Sequence, residues 1–290
     1  VHLVLSQPDR PKGRGLGLVA SPVKQAAIQL GLPIYQPEKI KTNQELQDKL
    51  QQIAPDAIIV VGYGRIIPSW MLQLPKFGNL NLHASLLPKY RGAAPIQWAI
   101  ANGEKITGVT TMKIDEGLDT GDILLQRELA ISDDDTSETL APRLAAIGAD
   151  LMIDTLRGLH DGALRPRKQD NAQATLAPIL KKEDGRIDFG RTAQGIYNRF
   201  RGFQPWPGAF TTFRGRSLNI IAMKPARVDE MWNDHLTEAQ LLIKDGRLFV
   251  GCGSNTAIEL LELQPEGKKR ISARDFIHGY RPKPGESAGR

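Results

Sequence analysis

The sequence predicts an α/β domain with an open, mostly parallel sheet of the Rossmann-like type, followed by a small β-barrel. Two observations carry this prediction. Apolar strand-like runs alternate with amphipathic helix patterns over the first half of the chain, which is typical of parallel βαβ units. Short β-branched runs separated by Gly-containing turns fill the last third, which is typical of antiparallel hairpins.

Length and charge divide the chain in the same way. The 290 residues exceed the usual size of one domain, and we expect a first domain over 1–164, a linker over 165–180 and a second domain over 181–290. Residues 1–180 hold 19 Lys and Arg against 19 Asp and Glu, whereas residues 181–290 hold 19 against 13. A basic second domain indicates a polyanionic partner. The alternative is a basic face that serves only solubility.

Cysteine and histidine usage bears on metals and on compartment. The single cysteine, Cys252, excludes an internal disulfide, and we expect it to be a small buried hydrophobe. The five histidines stand singly without metal-ligand spacing, so we predict no metal site. No apolar run is long enough for a membrane span, and no leader pattern opens the chain. We expect a cytoplasmic monomer without membrane attachment.

The first elements follow from local signals. A strand-like run at Val1–Leu5 is followed by a glycine- and proline-rich segment over 7–20, predicted to be an extended loop. Two helices are predicted behind capping residues, from Ser21 to Gly31 and from Asn43 to Ile53. Segment 62–68 then follows the next strand, at the edge of the sheet where open α/β folds bind ligands.

The strand-like stretch around Leu82 carries the first candidate chemistry. Asn81 and His83 alternate with leucines, so both side chains point to one face. An amide N–H there would donate to an oxyanion, and an imidazole would move a proton. The alternative interpretation is that the Asn81 side chain forms hydrogen bonds within a turn and that His83 is a hydrogen-bonded core histidine.

A second polar cluster, Asp115–Asp122, follows the strand-like run 108–114. Its glycines and acids predict a tight loop. A carboxylate from this loop, if it lay against His83, would orient the ring, favour its protonated form and accept a proton. On its own, such a loop is most often only a turn.

A long helix is predicted after the acidic run Asp133–Asp135. Negative charge at a helix start is explained by the macrodipole, so we assign these acids no catalytic role. Pro142 fits best in the first turn of this helix.

The last third begins with a helix over 191–202 and an aromatic and basic run, Arg199–Gly208. This run would either stack on nucleotides or pack as a hub, and we favour packing. Hairpins are predicted around Gly215 and around Asp245 with Gly246. Five or so such strands predict the barrel.

These motifs resemble a known family. NLHASLLP at 81–88 with GLDTGD at 117–122 is similar to the folate-dependent formyltransferases. QPDRPKGRG at 7–15, SLLPKYRGAAPIQ at 85–97 and FQPWPG at 203–208 resemble, within that family, the methionyl-tRNA formyltransferases. The resemblance runs along almost the whole chain. It implies a barrel of the oligonucleotide-binding type.

The resemblance also implies roles for particular residues. The catalytic trio would be Asn81, His83 and Asp119. The remaining positions would bind the two substrates. Folate binding is implied for Gly64, Arg65, Ile66, Ser85, Leu86, Leu87 and Pro88, and tRNA binding for Arg10, Lys12, Arg14, Lys268 and Lys269, with Arg14 as the critical arginine of a loop that reaches the acceptor end.

The implied activity is transfer of a formyl group from 10-formyltetrahydrofolate, a cosubstrate, to the amino group of initiator methionyl-tRNA. The alternatives are formyl transfer to a small amine and a noncatalytic RNA-binding protein that keeps the fold. The family pattern also has about thirty residues before the match to Val1–Leu5, including a central strand. We therefore expect the chain as given to be poorly stable and inactive, and the natural protein to begin earlier.

Overall fold

The structure, a computed structural model, describes residues 1–12, 17–226 and 236–289. The chain forms two compact units. The first comprises Val1–His83, Val109–Arg127 and Gly148–Ala172, and the second comprises Ala84–Gly108, Glu128–Ile147 and Gln173–Arg290. Both units draw on separated stretches of the chain, and linear boundaries at residues 164 and 181 stay a prediction.

Strands and helices alternate in the first half of the chain, and strands dominate the last third. The strands are β1 (Val4–Leu5), β2 (Arg10–Lys12), β3 (Gly17–Val19), β4 (Ile34–Tyr35), β5 (Ile58–Val60), β6 (Asn79–His83), β7 (Ile106–Lys113), β8 (Ile123–Ala130), β9 (Ala209–Phe213), β10 (Arg216–Pro225), β11 (Leu241–Lys244), β12 (Arg247–Cys252), β13 (Thr256–Pro265) and β14 (Ile271–Ser272). The helices are α1 (Pro22–Gln29), α2 (Gln44–Ile53), α3 (Ser69–Leu72), α4 (Pro95–Ala101), α5 (Ser137–His160), α6 (Ala193–Gly202) and α7 (Ala273–Tyr280).

The α/β class is confirmed. β1 pairs in parallel with β4, and β5 pairs in parallel with β6. β6 lies in a four-stranded sheet with the order β5-β6-β7-β8, in which β7 runs antiparallel to β6. Parallel neighbours need helical crossovers, and helices do alternate with strands along this part of the chain.

Helices α1 and α2 begin where their capping residues predict. Ser21 Oγ accepts a hydrogen bond from the backbone N–H of Lys24 at 3.1 Å. Asn43 Oδ1 accepts one from Leu46 at 2.9 Å, and each bond satisfies an N–H that the first helical turn leaves open. α2 buries Leu46 in an apolar core that also includes residues of β1, α3 and β5.

The glycine- and proline-rich segment differs from the prediction. Instead of a simple loop, its described ends form the antiparallel pair β2–β3, with Pro11 opposite Leu18. A two-stranded ribbon leaves one edge of each strand unpaired, so it tolerates a proline that a central strand would exclude. The composition hides this pairing because it lacks alternating apolar residues.

The prediction for Pro142 is wrong. α5 begins at Ser137, so Pro142 lies inside the helix, beyond the first turn. The proline has no N–H to donate to the preceding turn, and the rest of this 24-residue helix continues past it.

The last third forms a six-stranded antiparallel sheet. Its order is β11-β12-β13-β10-β9, and β14 pairs with β13. The backbone N–H of Leu241, the first residue of the edge strand β11, donates to Glu286 O at 2.8 Å. The backbone N–H of Gly289 donates to Thr212 O, in the other edge strand β9, at 2.8 Å. Segment 286–289 therefore bonds to both sheet edges and closes the predicted small barrel.

An apolar core fills this barrel, and Phe276 of α7 is 1% exposed within it. Cys252 is also buried, and burial raises the pKa of its thiol to about 12, so it is the inert small hydrophobe that was predicted.

The packing interpretation of the aromatic run is confirmed for Phe203, which is 1% exposed and meets Trp98 edge to face at 5.3 Å.

Among the helices of the described residues, none combines the length and the apolar character that crossing a bilayer requires.

Candidate active site

Strand β6 presents the first two candidate residues. Asn81 lies opposite Met112 of β7, and His83 lies opposite Thr110, so the two side chains share one face as the alternation predicted. On the other face, Leu80 is fully buried. This burial fixes the register of the strand, because a slip by one residue would turn Asn81 and His83 into the core.

The candidate carboxylate reaches the same place from the loop that links β7 and β8. Asp119 Oδ2 lies 3.6 Å from His83 Nδ1, with His83 6% exposed and Asp119 18% exposed. The backbone of Asp119 adopts the left-handed conformation, with φ 52°. Aspartate is one of the few residues that tolerate this conformation. The structure thus brings together two of the predicted trio directly, and Asn81 precedes His83 by two positions on the same face.

The loop itself, Asp115–Asp122, is tightly folded. Asp115 Oδ1 accepts hydrogen bonds from Gly117 N at 3.0 Å and from Thr120 Oγ1 at 2.7 Å. At its end, Lys113 N donates to Asp122 O at 2.9 Å. A Cβ at Gly121 would lie 1.9 Å from Lys113 O, so only glycine fits there. The glycines that predicted a turn therefore also set where Asp119 stands.

One residue that holds the loop was missed in the sequence. Gln169, which falls in the predicted linker, donates from Nε2 to Asp119 O at 2.8 Å and to Gly121 O at 2.7 Å. A lone glutamine in a polar stretch carries no pattern that could have revealed this contact.

The Asn81 amide is available to a ligand. Its side chain is half-buried, and within the described parts of the chain it has no hydrogen-bond partner in the protein. A donor amide, an imidazole and a carboxylate in this order can stabilise a developing oxyanion and move a proton, which are the requirements of acyl-type transfer.

The residues implied for folate binding lie in two segments, one in each compact unit. In the second unit, Ser85 is fully buried and donates from Oγ to Lys89 O at 2.6 Å. Leu87 is 3% exposed, and Leu86 and Pro88 are half-buried. These contacts give segment 85–88 a fixed local shape.

In the first unit, Gly64 has a positive φ of 72° and is followed by Arg65 and Ile66. The Arg65 guanidinium donates to Gln7 Oε1 and to backbone carbonyls of 37 and 38, so protein acceptors engage it. Ile66 is 92% exposed, so it is not a core residue. The neighbouring Tyr63 hydroxyl is buried and has no partner among the described residues, and burial raises the pKa of this phenol.

The residues implied for tRNA binding are only partly described. Arg10 is exposed in β2, whereas Arg14 and the side chain of Lys12 lie outside the described residues. Lys268 and Lys269 are exposed in the turn between β13 and β14, and neither ammonium has an acidic partner in the part of the chain that the structure describes.

Three other cations of the last third have acidic partners. Arg214 contacts Glu286 at 2.9 Å, and both Lys224 and Arg247 contact the buried Glu259. Lys268 and Lys269, which lack acidic partners among the described residues, are therefore better placed than these three cations to meet an external anion. Over the ranges that are described, no group of three His, Cys, Asp or Glu side chains could hold a metal ion.

Comparison with known proteins gives a consistent set of matches. A sequence model described as formyl transferase matches residues 1–156, and one described as formyl transferase, C-terminal domain, matches residues 179–281. The methionyl-tRNA formyltransferase of Koribacter versatilis is 62% identical over 290 residues, covering 100% of this chain and 91% of that protein. That of Acidobacterium capsulatum is 60% identical over 279 residues, covering 96% and 88%.

Solved structures share the fold at low identity. An N-formyltransferase from Helicobacter canadensis, in complex with folinic acid and dTDP-3-aminofucose, has a TM-score of 0.61 and 20% identity, covering 83% of this chain and 81% of that one. HypX from Aquifex aeolicus, in complex with tetrahydrofolic acid, has a TM-score of 0.58 and 17% identity, covering 90% of this chain and 45% of that one.

Proposed function

Because this chain belongs to the formyl transferase family, we propose that it transfers a formyl group from 10-formyltetrahydrofolate to the amino group of initiator methionyl-tRNA. The relatives that share 62% and 60% of its sequence carry the name methionyl-tRNA formyltransferase, and they match it over almost the whole chain. Formylation of methionyl-tRNA is therefore favoured over transfer to a small amine or a purely RNA-binding role.

One observation carries the assignment of the chemistry. The Asp119 carboxylate lies 3.6 Å from His83 Nδ1, while the Asn81 amide, on the same face of the strand as His83, has no hydrogen-bond partner among the residues that the structure describes. When bound, the folate supplies the formyl carbonyl. The Asn81 amide and the His83 imidazole donate to its oxygen as negative charge develops, which stabilises the transition state.

Asp119, 3.6 Å from His83, orients the imidazole and accepts the proton of the attacking amine through a water molecule. The bond from the formyl carbon to N10 of the folate then breaks, N10 takes up that proton, and tetrahydrofolate leaves. No side chain needs to form a covalent bond to the formyl group. His83 is 6% exposed, so its N–H acts where little water competes for it.

The first unit offers a fitting surface for a flat, partly polar ring. Ile66 exposes an apolar side chain on which such a ring can pack. We assign folate binding to segment 64–66 and to segment 85–88. We assign tRNA contacts to Arg10, Lys12 and Arg14 and to the lysine pair Lys268 and Lys269. A cytoplasmic monomer remains our expectation.

The test is single-turnover formyl transfer to charged tRNA by Asn81→Ala, His83→Ala and Asp119→Asn. Each should lose about 10²-fold or more in rate, because Asn81 and His83 are oxyanion donors and Asp119 is the proton acceptor, with tRNA binding and unfolding close to wild type. His160→Ala and Asp48→Asn, both at exposed positions, are the matched controls. Near-normal turnover in any of the three would remove that residue from the mechanism. Faster transfer to free small amines than to charged tRNA would contradict the substrate assignment.

A further inference from the structure

The loop that carries Asp119 has almost no apolar anchorage of its own. Residues 115–118 are exposed, and Leu118 leaves 63% of its side-chain surface in solvent. The backbone of Asp119 moreover adopts the left-handed conformation, which residues with a Cβ adopt less readily than glycine. Hydrogen bonds must therefore hold this loop, because packing does not.

Gln169 donates two of these hydrogen bonds, next to the residue that carries the carboxylate. Its Nε2 donates to the carbonyl of Asp119 at 2.8 Å and to that of Gly121 at 2.7 Å. The two carbonyls flank Thr120, so one amide group holds the backbone on both sides of it. Gln169 is 50 residues from Asp119 in sequence and reaches the loop from a separate segment of the first unit.

That segment is itself fixed. The backbone of Arg167 exchanges two hydrogen bonds with Ile123, the first residue of β8, each at 2.8 Å. Arg167 Nη2 also donates to Gln126 Oε1 at 3.0 Å. Gln169 follows two residues later, so its side chain extends from an anchored strand-like base rather than from a free linker.

We infer that Gln169 is a positioning residue for formyl transfer: it holds the Asp119 backbone so that the Asp119 carboxylate stays beside His83. This inference rests on the proposed function, in which Asp119 acts together with His83. Gln169 does not touch the reacting atoms, so its loss should lower turnover through Asp119 and leave substrate binding close to normal.

The substitutions must remove the N–H donors without removing the side chain. Gln169→Met has a similar length and no donor. Gln169→Asn keeps both donors on a chain shorter by one methylene, and it serves as the conservative variant. Gln52→Met, at an exposed position of α2, makes the same chemical change away from the site.

The experiment measures kcat and KM for both substrates, with urea unfolding of every variant, in the wild-type and the Asp119→Asn backgrounds. Gln169→Met should lower kcat about 10-fold to 10²-fold, as expected when a catalytic group shifts by a fraction of an ångström to an ångström, with KM changed less than about two-fold. Gln169→Asn should fall between Gln169→Met and wild type, and Gln52→Met should match wild type.

In the Asp119→Asn background the same Gln169→Met change should lower kcat by less than about two-fold, since a residue that acts only through Asp119 has nothing left to position. Equal losses in both backgrounds would overturn the inference, as would a wild-type kcat for Gln169→Met. If Gln169→Met does not fold, the same cycle with Gln169→Asn decides. A wild-type rate for Asp119→Asn alone would show instead that the proposed role of Asp119 is wrong, and the inference would fall with it.

Discussion

The Asp115–Asp122 loop and the C-terminal barrel hold their shapes by opposite means. The loop exposes Leu118 and depends on a few hydrogen bonds, notably those accepted by Asp115 and donated by Gln169. The barrel depends on an apolar core in which Phe276 is 1% exposed. The difference implies that the two regions have separate effects. Changes in the loop should alter the rate of formyl transfer, and changes in the barrel core should alter stability.

The largest effect is expected in the barrel core. Phe276 stacks on Tyr280 at 4.6 Å and meets Phe213 edge to face at 5.3 Å. Phe276→Ala removes both contacts and leaves a cavity, so the free energy of unfolding should fall by about 3–5 kcal/mol. Urea unfolding followed by circular dichroism measures this loss, and Phe276→Leu should lose less.

Phe276→Ala also tests whether the two regions have separate effects on rate and on stability. At low temperature, where Phe276→Ala is still folded, kcat at saturating substrates should equal that of wild type. A kcat that falls in proportion to the lost stability would show that the barrel core also affects the rate of formyl transfer.

Two glycine substitutions, one in the Asp115–Asp122 loop and one in the barrel, test the same difference between rate and stability. A Cβ at Gly121 would lie 1.9 Å from Lys113 O, so Gly121→Ala must shift the loop and with it Asp119. We expect a loss of about 10²-fold in kcat. Gly246, in the β11–β12 turn, has a φ of 71° and no atom within 4 Å of an added Cβ. Gly246→Ala should therefore cost about 1–2 kcal/mol of stability and leave kcat unchanged.

Measured side by side, the two glycine variants give a crossed pattern of rate and stability. If Gly121→Ala kept full kcat, the loop would be too soft for its geometry to matter. If Gly246→Ala lowered kcat as strongly, the turn in the barrel would belong to the catalytic apparatus.

Some features of this molecule can be predicted from its sequence and others cannot, for physical reasons. Asn81 and His83 could be predicted to share a face because side chains in a strand alternate with a fixed period. The hairpin around Gly246 could be predicted because its turn chemistry is local. Both inferences use neighbours along the chain only.

The missed features depend on contacts that leave no local pattern. Gln169 donates to backbone carbonyls, which every residue has, so nothing in the sequence of the loop predicts that Gln169 binds it. The β2–β3 pair joins Pro11 to Leu18 without apolar alternation. That Asp119 acts with His83 is implied by the family resemblance and not by their spacing in the sequence, because positions in a loop and a strand so far apart fix no distance. In the structure the two side chains lie 3.6 Å apart.

A smaller effect concerns the exposed lysines of the barrel. Lys268 and Lys269 have no acidic partners among the described residues, so we expect both to neutralise tRNA phosphates. The Lys268→Ala/Lys269→Ala double variant should reduce the slope of log affinity against log salt concentration by about 1 per lysine. The matched control is Lys39→Ala/Lys41→Ala, which removes two exposed charges from the first unit.

Filter binding of charged tRNA across a salt series measures these slopes. Equal slopes for both double variants would mean that net charge, rather than the barrel surface, sets the affinity. The kcat of the lysine variant at saturating tRNA should stay at the wild-type value, in contrast to Gly121→Ala.

The smallest effect is a pH dependence in the segment that closes the barrel. Hydrogen bonds from Arg214, and then from the backbone N–H of Lys283, lower the pKa of Glu286 from its ordinary value of 4.5 to about 2. A carboxyl whose pKa is lowered by folding adds stability above its unfolded pKa. That contribution is lost as the pH falls from 4.5 through about 2.

The urea midpoint of wild type should therefore fall more steeply between about pH 5 and about pH 3 than that of Glu286→Gln, which cannot titrate at this position. Other carboxyls titrate in both proteins, so only the difference between the two curves reports on Glu286. Because Glu286 also accepts the backbone bond from Leu241, the loss should appear as earlier opening of the barrel, visible in hydrogen exchange at Leu241. Parallel curves would mean that backbone pairing alone closes the barrel. The kcat near pH 7 should be the same in both proteins, since this ion pair does not contact the Asp115–Asp122 loop.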